Sequence, residues 1–217
     1  MFDFTKGPVK FIRGGRYPFC NSLVVDDRVR LVIDASSDRD KLQAFKDRGT
    51  VDFLINSHAH EDHLVFNYLF PESKFCAHPF DGPFFQDLEA LVDCYGDMTE
   101  EDKGKWRIFL TEDCHYQPRK VDVFLQDGMI MDLGKCAMEI IHTPGHTRGH
   151  CAFYFPLEKV MFTADLDLTK GGPYYGDRGS DIDETIRSLE RWKTFEVETY
   201  LTSHGTGIFD GDPAHIH

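Results

Sequence analysis

The sequence predicts a mixed α/β chain of the α+β kind, two packed sheets flanked by helices, and three observations lead there. Strand runs follow one another without an intervening helix at the start ("PVKFIRG", "NSLVVDDRVRLVID") and again in the middle ("VDVFLQDG", "MIMDLG", "CAMEIIHT"). Such neighbours pair antiparallel, which a single doubly wound sheet does not allow. Helical patterns stand between the other strands, as outer layers would require. No repeat or low-complexity linker interrupts residues 1–217, so a single domain is expected.

Taken in order, the run ending at Asp34 holds Asp26 and Asp27 between apolar flanks, as a hairpin turn would, and both are expected to be solvated. "SSDRDKLQAFKDRGT" predicts a short amphipathic helix, with the serines and Asp38 suited to capping, Leu42 and Phe45 as its apolar residues and Gly49 as stop. "VDFLIN" is a buried strand, "LVFNYLF" a helical turn or two ended by Pro71, and "KFCAH" another strand. From Pro83 to about Lys105 the pattern is a helical insertion, broken near Gly96 and restarted at Thr99 with Glu100, Glu101 and Asp102 in its first turn. Its Phe84, Phe85, Leu88 and Leu91 read as packing residues, although an insertion so placed could cover a site. After the middle strands come "CAFYFP", "KVMFTAD", a glycine- and tyrosine-rich loop, the helix "DIDETIRSLERWKTFE" and the strand "TYLTSHG".

The bulk numbers exclude several classes. A formal net charge of -13 opposes a nucleic-acid partner, whose binding needs a Lys/Arg surface. The six cysteines form no Cys-x-x-Cys pair and sit mostly in apolar stretches, which reads as reduced thiols and a cytoplasmic location. Neither an export signal nor a membrane-spanning run is visible. A small-molecule substrate is expected, without nucleic acid or membrane, and a homodimer is left open.

The chemistry concentrates in "INSHAHEDHL", residues 55–64. His58 and His60, two apart at a strand end, project the same way and can share one ion. Asp62 and His63 follow where the chain turns, within reach of a second position. Mixed imidazole and carboxylate suit zinc, and also iron or manganese, rather than calcium or magnesium. One loop rarely completes two coordination spheres, and three further donors stand where strands stop: His146 after a Pro-Gly turn, Asp165 ending "KVMFTAD", and His204 in "LTSHG". The seven divide as His58, His60 and His146 on one ion, and Asp62, His63 and His204 on the other, with Asp165 between. His78, His115, His142 and His150 stay unassigned, His150 as a candidate partner for a ligand. Tyr174, Tyr175 and Arg178 are equally readable as substrate contacts or surface loop, and the terminal "HIH" as a frayed end.

"HAHEDH" (58–63), "TPGH" (143–146), "FTAD" (162–165) and "TSHG" (202–205), in this order, resemble the metallo-β-lactamase superfamily, and within it the glyoxalase II-like hydrolase branch. The resemblance spans nearly the whole chain. It implies a four-layer αββα sandwich with the metals at one edge between the sheets, the same seven ligands, and a binuclear hydrolase. Asp62 would be its catalytic residue, holding a hydroxide that bridges two divalent metals, zinc foremost, for attack on an ester, thioester, lactone or related bond. Of three departures, the first alters local packing but not ligation, and the other two narrow the substrate. Val65 and Phe66 stand where members often have glycine; only 13 residues follow His204, where glyoxalase II has a helical domain for glutathione; and Leu168 replaces the tyrosine of the lactonases. Sulfur dioxygenases of the superfamily, with one iron on the first group of donors, are the alternative.

Overall fold

A computed structural model describes residues 2–168, 172–174 and 176–211. Its first sheet has seven strands in sequential order: β1 (Phe4–Lys6), β2 (Val9–Ile12), β3 (Ser22–Asp26), β4 (Arg30–Ile33), β5 (Phe53–Ile55), β6 (Lys74–Ala77) and β7 (Val123–Phe124). The first four pair antiparallel as a meander, and β4 to β7 run parallel. The second sheet has six: β8 (Ile130–Asp132), β9 (Ala137–His142), β10 (Cys151–Phe155), β11 (Val160–Ala164), β12 (Thr199–Thr202) and β13 (Ile208–Asp210). All its pairs are antiparallel except β11 with β12.

Strand alternation explains why these runs are apolar throughout. In β3, Leu23 and Val25 face the second sheet while Val24 faces the helices, and in β10 Cys151, Phe153 and Phe155 face inward while Ala152 and Tyr154 face out. Both faces of each central strand are therefore buried. The inter-sheet core joins Phe11, Leu23 and Ile33 to Phe153, Phe155 and Phe162. Outside the first sheet lie α1 (Arg39–Asp47), which contributes Leu42 and Phe45, and the insertion: α2 (Gly82–Gln86), α3 (Leu88–Cys94) and α4 (Glu100–Ile108). Outside the second lies α5 (Ile182–Trp192), whose Trp192 is fully buried against Met161 and Tyr200. The order of layers is αββα, as expected.

Local signals held where capping chemistry was explicit. Asp38 accepts from the Lys41 N–H and Thr99 from the Asp102 N–H; α5 is capped too, by Asp181, which accepts the Asp183 and Glu184 N–H groups and was not anticipated. Elsewhere the chain differs from expectation. The run 64–70 makes only 3-10 turns, β7 is two residues long, and the insertion breaks a second time at Asp87, which caps α3. The three-residue edge strands β1 and β13 were not anticipated, being too short for a periodic signal. Asp26 is not a solvated turn residue: its carboxylate receives Lys10 at 2.6 Å, Arg30 at 3.2 Å and Arg48 at 2.7 Å. Asp27 accepts the Lys135 and Cys136 N–H groups and so joins the two sheets. The six cysteines are free and five are buried, and among the described residues no helix is long and apolar enough to cross a membrane. The terminal "HIH" lies outside the described residues.

Candidate metal centre

Strand ends from both sheets meet at one edge of the sandwich. After β5, the Asn56 side chain donates to the His63 carbonyl at 2.7 Å, closing the 57–63 loop on itself, and the Ser57 carbonyl receives the Cys151 N–H at 3.0 Å from the other sheet. His60 then caps a 3-10 turn, Glu61–His63, that turns Asp62 and His63 back toward His58. Gly145, at φ 136°, sits so close to α5 that a Cβ would lie 2.4 Å from the Thr185 nitrogen, which explains the glycine ahead of His146. Asp165 follows a bulge in β11 where Ala164 adopts φ 48°, a conformation that re-aims the strand end.

The seven expected donors fall into two groups. His58 Nε2, His60 Nδ1 and His146 Nε2 lie 3.0 to 3.2 Å from one another, with Asp165 Oδ2 3.4 Å from His146 and 3.9 Å from His58. His63 Nε2 lies 2.9 Å from Asp165 Oδ1 and 3.7 Å from Asp62 Oδ1, and His204 Nε2 lies 3.2 Å from Asp165 and 3.4 Å from Asp62 Oδ2. Asp165 belongs to both. Ligand atoms around a tetrahedral zinc with Zn–N of 2.0–2.1 Å stand ~3.3 Å apart, close to the spacing of the three histidine nitrogens, so each group could hold a metal ion.

Proton bookkeeping tests the fit further. The Ser57 hydroxyl donates to Asp34 and therefore accepts from His58 Nδ1 at 2.9 Å; His60 Nε2 donates to Asp177 at 2.5 Å; His146 Nδ1 donates to the Tyr174 carbonyl at 2.5 Å; His63 Nδ1 donates to Asp34 at 2.9 Å. Each outer nitrogen thus holds its ring's proton, and lone pairs face inward. His63 Nε2 and Asp165 Oδ1, buried and facing each other at 2.9 Å, have no partner of hydrogen-bond geometry among the described residues. Orphaned acceptors at that density are what a cation relieves.

The titration of the bare cluster says the same. Burial holds His58 well below the usual histidine range and His146 at about 4. Burial also pulls on His60 and His204, but Asp177 beside the first and Asp165 beside the second outweigh it and raise both to about 9. Burial, with the Asp165 and Glu61 charges, lifts Asp62 to about 6.

The Metallo-beta-lactamase superfamily profile matches residues 16–204. The chain belongs to the metallo-β-lactamase superfamily. Among curated relatives, a hydroxyacylglutathione hydrolase of Mesorhizobium japonicum is 28% identical over 73% of this chain and 51% of its own length, so the chain spans about half of that relative. The hydroxyacylglutathione hydrolase GloC of Haemophilus influenzae is 28% identical over 86% of this chain and 85% of its own. Of solved structures, the BLEG-1 B3 metallo-β-lactamase is 20% identical with a TM-score of 0.73, covering 96% of this chain and 97% of its own. That likeness supports the superfamily fold.

This superfamily member holds its cluster with residues the motif does not reveal. Asp34, at φ 53° just past β4, receives the Ser57 N–H, the Ser57 hydroxyl and His63. The signal was present: "LVID" ends as "FTAD" does, an apolar run closing on Asp. Asp177 has no such signal, since it lies in an aperiodic loop. Asp81, fully buried, accepts from the Ala59 N–H and Thr147. Of the unassigned histidines, His150 receives the Asp165 N–H at 3.3 Å, so it steadies a donor. His78 and His142 stack on each other at 4.1 Å, and His115 bonds the Glu112 carbonyl. Tyr174 lines the cleft before the cluster, Arg178 pairs with Asp97 of the insertion instead, and Tyr175 lies outside the described residues. Leu168 packs on the α5 side, and Phe85 and Leu91 are core, as expected.

Proposed function

We propose that this chain is a metal-dependent hydrolase, acting as one domain on a small molecule with an ester, thioester, lactone or related bond. His58, His60, His146 and Asp165 would hold one divalent ion, and Asp62, His63, His204 and Asp165 a second, zinc being the ion these donors suit best. The observation that carries the reading is the pair of convergent donor groups with Asp165 in reach of both, the lone pairs of His58, His60, His63 and His146 each freed by a partner behind the ring. Relatives support the same class: one is named a probable polyketide biosynthesis zinc-dependent hydrolase of Bacillus velezensis, 35% identical over 33% of this chain and 31% of its own.

When bound, such ions would acidify a water towards a pKa of about 7 and polarise the scissile carbonyl. The protein's own part is placement. Asp62 Oδ2, at the cleft wall 3.4 Å from His204, orients the nucleophile and passes its proton to the leaving group. Asp34 and Asp177 hold the His63 and His60 rings against rotation. A cleft of about 420 Å3 in front admits a small substrate.

Metal analysis combined with an ester, thioester, lactone and phosphodiester panel tests the reading. Two divalent ions per chain with turnover is expected, and Asp62→Asn or His146→Ala should lower turnover by two or more orders of magnitude, on the order of what a general-acid/base group contributes. No bound transition ion, or wild-type turnover in either variant, would overturn it. The first group alone could serve a sulfur dioxygenase; one iron per chain with oxygen uptake would select that alternative.

A further inference from the structure

Four aromatic side chains are among the described walls of the cleft: Tyr17, Tyr95, Trp106 and Tyr174. Tyr17 comes from the loop after β2, and Tyr95 and Trp106 from the insertion, yet the hydroxyls of Tyr17 and Tyr95 donate to the two oxygens of one carboxylate, Glu61, the first at 2.6 Å. Glu61 is itself buried, one residue before Asp62. Tyr95 and Trp106 meet edge to face, 5.1 Å between centroids at 77°, forming two walls at nearly a right angle. Tyr17 and Tyr174 keep about three-fifths of their surface open, 59% and 62%. The hydroxyl ends of Tyr17 and Tyr95 point at the carboxylate, and one face of each ring is stacked, Tyr17 on Phe109 at 5.9 Å and Tyr95 on His60 at 5.7 Å; an aromatic ring beside a carboxylate attracts a cation through its quadrupole and the charge together.

The charge of the surroundings points the same way. Besides the donors Asp62 and Asp165, the carboxylates of Asp34, Glu61, Asp81, Asp167 and Asp177 line the cleft or hydrogen-bond the 57–63 loop. Of these, Glu61, Asp62, Asp165 and Asp167 are on the described cleft walls, and no Lys or Arg is among those walls.

We infer that the cleft selects substrates whose non-reacting end carries an ammonium group, seated against Tyr17, Tyr95 and Trp106 and over the Glu61 carboxylate. The inference rests on the hydrolase reading for the reaction, but not for the binding. For a thioester, water adds to the acyl carbon, the C–S bond breaks, and the thiol departs with one of the water protons.

Acetylthiocholine and S-(3,3-dimethylbutyl) thioacetate have the same shape and differ in the charge, so their kcat/KM ratio on metal-replete protein isolates it. Roughly tenfold preference for the cation is expected, a cation–π pocket plus a carboxylate being of that order. Glu61→Gln, which keeps an acceptor for the tyrosines, and Trp106→Leu should each shrink that ratio severalfold. Calorimetric titration with tetramethylammonium at constant ionic strength gives a readout without turnover: saturable binding, weakened in both variants. Equal turnover of the two thioesters with no saturable binding would overturn the inference and leave the hydrolase reading intact. A preference that neither variant alters would also overturn it. Saturable, variant-sensitive binding without any turnover would instead support the cationic pocket and count against hydrolysis.

Discussion

Asp34 shows how one side chain couples stability to the metal site. Its carboxylate is fully buried and takes three donors, the Ser57 N–H, the Ser57 hydroxyl and His63 Nδ1, so removing it strands three buried polar groups. Asp34→Ala is therefore expected to cost about 1–3 kcal/mol or more in a urea melt, the penalty of buried unpaired groups. The same change should weaken metal retention roughly 10- to 100-fold in a chelator competition, because the His63 ring loses its brace. Asp34→Asn, which tolerates the φ of 53° and keeps one acceptor oxygen, should recover much of the stability. Equal losses in both variants would contradict this account of the carboxylate.

At the level of elements, helices and turns hold the cluster from behind. The 177–181 stretch bonds His60 through Asp177, the His146 carbonyl through Ser180, and the Gly145 carbonyl through the Asp181 N–H, while the Asp181 side chain caps α5. Gly145 is the tight point, since a Cβ there would meet Thr185 in the first turn of α5 at 2.3 Å. Gly145→Ala is expected to destabilise by about 1–3 kcal/mol, combining overlap with a backbone angle alanine avoids, and to raise amide exchange across 145–147 and the start of α5. Unchanged exchange there would show that the turn and helix are not coupled. The capping signals of α1 and α4 were legible in the sequence because capping is local chemistry between residues three apart. The edge strands β1 and β13 were not, because three residues carry no period and exist only through their neighbours.

Across the whole molecule the site is where the two sheets join, with donors from β5, β9, β11 and β12 ends, so an ion there would tie both layers together. Binding to the folded state alone adds about 4 kcal/mol at a thousandfold excess over Kd. Chelation should thus lower Tm by on the order of 10 °C, at ~2–4 °C per kcal/mol for a chain this size. The ion competes with protons. His60 and His204 are raised to about 9 in the bare cluster and must lose a proton to ligate, so apparent affinity should climb with pH up to about 9 and fall on acidification. Differential scanning with and without chelator between pH 6 and 9 measures both effects; a Tm gap that is absent, or that widens toward acid, would contradict them.

The sequence by itself determined the layer order and which histidines and aspartates are candidate donors: apolar runs of strand length, helix caps and "HAHEDH" are short-range patterns whose meaning survives without neighbours. Only the tertiary structure decided what stands behind and before those donors. Asp34, Asp81 and Asp177 bond the 57–63 loop from 23, 22 and 117 residues away, and Tyr17 reaches Glu61 across 44. Contacts of that separation leave no periodic trace, because it is the packing of two sheets and an insertion, not chain proximity, that brings the groups together.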